Sequence, residues 1–118
     1  MYDLTKAEEQ VMQILWELKE AFVKDVVIEF PEPKPAYNTV STIIRILEKK
    51  KIVGYKAFGR THMYYPLITK EEYTKHSANS LVNKYFAGSF EQMVSFFVKE
   101  KNISASELEE IINKIDKL

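Results

Sequence analysis

Between Pro35 and Lys51 the chain reads PAYNTVSTIIRILEKKK, and Val40, Ile43, Ile44 and Leu47 recur at i, i+3, i+4 and i+7. That spacing predicts a helix with one apolar stripe to bury. Asn38, Ser41, Thr42 and Arg45 project from the other side, so this face holds short hydrogen-bonding groups and one cation where a solvated face would carry Glu and Lys. Pro35 as first helical residue and Asn38 as cap are both acceptable starts.

Upstream, Thr5 with Glu8 three residues later has the form of a capping box, and Val11, Ile14, Leu15 and Leu18 follow as the stripe of a first helix. A shorter helix is predicted over Phe22 to Phe30, with Phe22, Val23, Val26, Val27 and Phe30 on one side. Pro31 ends it, because the residue before a proline is pushed out of the α region. Pro31-Glu32-Pro33-Lys34-Pro35 alternates proline with charge and is expected to run stiff and extended. After Lys51 the period drops from 3.6 to 2. Val53, Tyr55 and Ala57 alternate with Gly54 and Lys56, Phe58-Gly59-Arg60 forms a turn, and Thr61 to Tyr65 runs back to Pro66, which predicts a β-hairpin with a basic tip.

From residue 69 the pattern is helical again. Thr69 with Glu72, Ser89 with Gln92 and Ser104 with Glu107 are three further capping boxes, separated by Ala87-Gly88 and Lys101-Asn102. Phe86, Phe90, Met93, Val94, Phe96 and Phe97 crowd the middle of this region, and Leu108, Ile111, Ile112 and Ile115 form a strict helical seam. That is more apolar surface than three short helices hide by themselves, so a second copy of the chain is expected to cover it. The other possible cover is the N-terminal region of the same chain. The fold class that follows is mainly α with a small β-hairpin: a winged helix-turn-helix domain over 1–68 and a three-helix dimerisation region over 69–118.

Composition adds one decisive feature. The 118 residues balance 17 Lys and Arg against 17 Asp and Glu, so net charge alone argues against a nucleic-acid partner. The distribution argues for one. Lys34, Arg45, Lys49, Lys50, Lys51, Lys56, Arg60 and Lys70 stand between residues 34 and 70 with Glu48 as the sole acid, while both flanking regions are acidic. Chance accumulation of lysine in loops is the plain alternative. On the DNA reading, Asn38, Thr39, Ser41, Thr42 and Arg45 address base edges in a major groove. Lys49 and Lys50 reach phosphates, and Lys56, Arg60 and His62 form the basic wing along the backbone. The contrary reading of the same helix is an ordinary core helix whose polar face meets water.

Other classes find little support. With no cysteine there is no disulfide, thiolate nucleophile or thiolate metal site, and no cofactor is called for. His62 and His76 lie in different elements. No grouping of His, Asp, Glu or Ser suggests a metal site or a nucleophile with its base, so an enzyme is not expected. Neither a signal peptide nor an apolar run of membrane-spanning length is visible, which predicts a cytoplasmic protein. A winged-helix protein-interaction module without DNA binding remains the rival, although such a module has no need of the basic island.

With these residues in place, the sequence resembles the penicillinase-repressor family of winged-helix regulators (BlaI/MecI/CopY) over nearly its whole length. Leu4-Thr5-x-Ala7-Glu8-x-x-Val11-Met12-x-x-Leu15-Trp16 is similar to the family's opening helix, Thr39-Val40-x-Thr42-x-Ile44-x-x-Leu47-x-x-Lys50 to its recognition helix, and Gly59-Arg60-x-x-x-Tyr64-x-Pro66 to its wing. The resemblance implies a homodimeric repressor on a palindromic double-stranded DNA operator, commonly before β-lactamase or other antibiotic-resistance genes. It also implies release by a membrane sensor and proteolysis within the dimerisation region. Three positions depart from the family. Ile46 stands where Arg is frequent, Lys51 where Gly is frequent, and Phe96-Phe97 falls where the family's cleaved Asn-Phe pair is expected. The copper-responsive branch binds metal through C-terminal cysteines, which this chain lacks.

Overall fold

A computed structural model describes residues 3–117. The elements run α1 (Lys6–Leu18), α2 (Val23–Glu29), α3 (Tyr37–Lys49), β1 (Val53–Phe58), β2 (Thr61–Pro66), α4 (Lys70–Tyr85), α5 (Phe90–Glu100) and α6 (Ala105–Asp116). The protein is mostly helical with one antiparallel hairpin, the winged-helix order. It divides into two compact units, Met1–His76 and Ser77–Leu118. That division falls within α4. Its first turns belong to the N-terminal unit because Tyr73 is buried there, donates its hydroxyl to Glu9 Oε2 at 2.6 Å and packs on Trp16 with ring centroids 5.6 Å apart.

Local chemistry sets most element ends. At α1, Glu8 N–H donates to Thr5 Oγ1 at 3.1 Å while Thr5 N–H donates to Glu8 Oε1 at 2.8 Å, closing the capping box. Thr69 and Glu72 make the same reciprocal pair at 3.0 and 2.9 Å. Thr69, through its backbone N–H first and its hydroxyl second, holds the exposed Glu72 carboxyl below its ordinary value. Ser89 and Ser104 cap α5 and α6 by accepting from Gln92 and Glu107 N–H. α2 is one residue shorter at each end than expected. Phe22 and Phe30 are its caps, with extended backbone, and Asp25 Oδ2 accepts from Phe22 N–H at 3.0 Å.

α3 begins at Tyr37 with Ala36 as cap, between the two starts the sequence allowed. Its end is a Schellman turn: Ile52 N–H donates to Leu47 O and Lys51 N–H to Glu48 O, with Lys51 at φ 64°. A side chain in that left-handed conformation is strained where glycine is not. Lys51→Gly is therefore expected to raise stability by about 0.5–1 kcal/mol, a small upward shift in Tm that thermal melting reads directly. An unchanged or lower Tm would show that the turn carries no such strain.

In the hairpin, Val53 pairs with Pro66 and the register runs to Phe58 with Thr61, leaving Gly59 and Arg60 as a two-residue turn. Gly59 has φ 62°, open to glycine at little cost. Pairing does not stop at two strands. Ala21 exchanges both backbone hydrogen bonds with Tyr64, at 2.9 and 2.8 Å, and so ties the α1–α2 connection to β2. The proline-rich link departs from a uniformly extended run: Glu32–Pro33 is cis, and Lys34 Nζ donates to the carbonyls of Ile28 and Phe30 at the end of α2.

One core joins these pieces. Val11, Met12 and Leu15 of α1 meet Val26 of α2, Val40, Ile44 and Leu47 of α3, and Ile52 and Val53 at the hairpin's base, all buried. Ile43, expected in the same stripe, is only partly buried. Full burial of side chains of this size contributes roughly 1.5–3 kcal/mol each. That anchoring fixes the roll of α3 and hence which residues it presents to solvent.

Candidate nucleic-acid interface

With Val40, Ile44 and Leu47 buried, the opposite side of α3 presents Asn38, Thr39, Thr42 and Arg45 in exposed positions, with Lys49 one turn further on. Ser41 is half-buried on the flank facing the wing. Thr42 Oγ1 donates to Asn38 O at 2.9 Å, so its proton is committed to the helix. What remains for a partner is an oxygen acceptor and a methyl group. The first can accept from an exocyclic amine and the second can touch a thymine methyl.

Gly59 and the register place Arg60 at the tip of the hairpin, exposed to solvent. Among the described residues no carboxylate pairs with Arg45, Lys49 or Arg60. Lys56 is exposed, 3.3 Å from Glu20 Oε2 and 5.7 Å from the centre of the Tyr65 ring. An exposed pair of this kind holds its lysine weakly and can exchange for a phosphate. His62 is half-buried and stacked on Tyr55, ring centroids 4.1 Å apart, which makes it a support of the wing as much as a contact.

Lys50, expected to reach a phosphate, is exposed and also held in an ion pair. Its ammonium sits 2.9 Å from both oxygens of Glu8, a side chain only 5% exposed, and 3.3 Å from Asp3 O. The ion pair ties the start of α1 to the end of α3. Burial raises the Glu8 carboxyl pKa, but the Thr5 N–H and the Lys50 ammonium outweigh it and leave the group below its ordinary 4.5. Stability from a depressed carboxyl is present above the ordinary value and is lost as pH falls through the lowered one. Glu8→Gln is accordingly expected to cost about 1–2 kcal/mol at neutral pH, with the gap to the parent closing in acid below 4.5. Denaturant titrations at neutral and acid pH read it. A gap that does not change with pH would remove the ion pair from the account.

Two exposed residues of α3 escaped the sequence reading. Tyr37, 53% exposed, is the helix's first residue and lay outside the segment that starts at Asn38. Ile46, 42% exposed, lies beside Thr42 on the outer face, where an apolar residue is unexpected. Its departure from the family's frequent Arg was the available signal.

In the second unit no residue of α5 or α6 is buried. Phe90, Val94, Phe97, Ile111, Ile112 and Ile115 are all exposed, and Phe86, Met93 and Leu108 are partly so. Phe96 and Phe97 lie inside α5, 48% and 41% exposed. Among the described residues no helix is long and apolar enough to cross a membrane, and no group of three or more His, Asp and Glu is placed to hold a metal ion.

A core-anchored third helix that shows polar and cationic groups, beside a hairpin tipped with arginine, defines a winged-helix DNA-binding regulator. Known proteins narrow the class. The family model described as "Penicillinase repressor" matches residues 4–117, and the chain belongs to the penicillinase repressor family. It is a DNA-binding transcriptional repressor. The methicillin resistance regulatory protein MecI of Staphylococcus aureus is 29% identical over 117 residues, covering 98% of this chain and 95% of that one. The penicillinase repressor of Bacillus licheniformis is 25% identical over 109 residues, 92% of this chain and 85% of its own. The solution structure of the DNA-binding domain of the repressor BlaI superposes with a TM-score of 0.53 at 24% identity, covering 59% of this chain and 87% of that domain, and supports the fold alone.

Proposed function

We propose that two copies of this chain join through α5 and α6 and occupy a palindromic operator, each laying α3 in a major groove and its wing along the adjacent backbone. Asn38, Thr39, Ser41, Thr42 and Arg45 read base edges, Tyr37 and Ile46 add contacts at either end, and Lys49, Lys56, Arg60 and His62 face phosphates. Repression needs no chemistry, only occupancy of a promoter. The observation that carries this reading is the cluster of Arg45, Lys49 and Arg60, which among the described residues has no carboxylate partner, in a region with one acid. An interaction module would have no use for it.

Apolar faces on α5 and α6 support the dimer, since each helix has an amphipathic pattern and none of its residues is buried within the second unit. The names of the relatives favour control of β-lactamase or other resistance genes. Release by a membrane sensor with its protease, cutting between Phe96 and Phe97, would first require α5 to unwind, because that bond is helical. Selecting bound fragments from genomic DNA tests the whole proposal: an inverted repeat with half-sites about one or more turns apart is expected. Recovery of fragments with no shared motif would overturn sequence-specific repression.

A further inference from the structure

Between α3 and the wing lies a cleft of about 680 Å³. That is the size of a small-molecule site and far more than a packing gap. Its lining is divided. Val23 and Tyr64, both buried, and half-buried Phe22 supply an apolar floor. Lys24, Arg45, Lys49 and Arg60 supply the charge, and Glu48 is the one carboxylate among the lining residues. Tyr37 and His62 add aromatic walls, and the His62 ring is held in place by its stack on Tyr55.

Four cations around one recess repel one another, and an anion seated among them removes that cost. A DNA phosphate could neutralise the rim, but it leaves the floor of Phe22, Val23 and Tyr64 wet. A flat ring carrying a carboxylate fills both parts: the ring covers the apolar floor and lies against aromatic faces, and the carboxylate takes a guanidinium in bidentate fashion.

We propose that this cleft binds a small planar aromatic carboxylate, and that the bound ligand competes with DNA by engaging Arg45, Lys49 and Arg60. Binding of the ligand stands apart from the DNA reading, whereas the competition rests on it. A metabolite or xenobiotic of this chemistry would then relieve repression without cutting the chain.

The probe is naphthoate, titrated into the isotope-labelled full chain without DNA while backbone amide spectra are recorded, with naphthylmethanol and acetate as controls. Saturable shifts confined to amides around Tyr37, Ser41, Glu48 and Thr61 are expected, with both controls weaker by about tenfold. Lys24→Glu, checked as folded by its own spectrum, should weaken naphthoate on the order of threefold or more. Shifts that never saturate, shifts centred elsewhere, or equal binding of naphthylmethanol would overturn the site. A second titration, into the protein–DNA complex, should raise the half-point for DNA in proportion to ligand occupancy. Naphthoate that saturates the cleft and leaves DNA affinity unchanged overturns the competition. A chain that binds naphthoate but no DNA overturns the DNA reading and leaves the ligand site standing.

Discussion

Arg60→Ala is expected to weaken binding to every duplex, operator or random, by about tenfold or more, and to flatten the dependence of log affinity on log salt by about two in the proposed dimer. Arg60 is exposed at the hairpin tip and among the described residues no acid pairs with it, so its removal is expected to disturb little packing. Each phosphate contact releases close to one counterion, and two copies lose two contacts. Arg45→Ala should behave differently. Its position on the outer face of α3 predicts a loss of about 1–3 kcal/mol on the preferred site, with relaxed choice at particular base pairs and a smaller change on random DNA. Titrations of operator and scrambled duplex at several salt concentrations separate the two. If Arg60→Ala leaves both affinity and salt slope as they were, the wing does not touch the backbone.

The other large effect concerns assembly. Ile112 is 48% exposed on α6, in a seam with Leu108, Ile111 and Ile115, so a charge there costs the single chain little. In the proposed dimer the same position becomes interior, and an aspartate on each side would be buried against its twin. Ile112→Asp is expected to give a folded monomer by sedimentation. Its operator affinity should fall on the order of a hundredfold or more, because the second half-site is no longer bound as an intramolecular event. A variant that stays dimeric, or a monomer that keeps full operator affinity, would rule out α6 as the joint.

Much of the fold was legible because its signals are local. A capping box spans three residues, so Thr5 with Glu8 and Thr69 with Glu72 could be read from spacing, and both form as expected. The stripe of Val40, Ile44 and Leu47 gave the roll of α3 and with it the outward face that carries Arg45. The short hairpin turn could be located because Gly59 tolerates its backbone geometry. Those features rest on helix period, strand period and turn geometry, which neighbours in sequence decide.

Long-range partners decided the remainder. The chain by itself determined three helices and a hairpin, a basic middle between acidic ends, and two late helices with greasy faces. Only the folded molecule decided that Lys50 meets Glu8, 42 residues away, and so has a carboxylate beside its charge. Likewise only folding ties Ala21 to the wing strand at Tyr64. The cleft beside α3 is of the same kind, since its walls come from three separate stretches of sequence. A lysine's charge is written in the chain, but whether that charge is available depends on which carboxylate the packing brings within about 3 Å of it, and no periodicity encodes that distance.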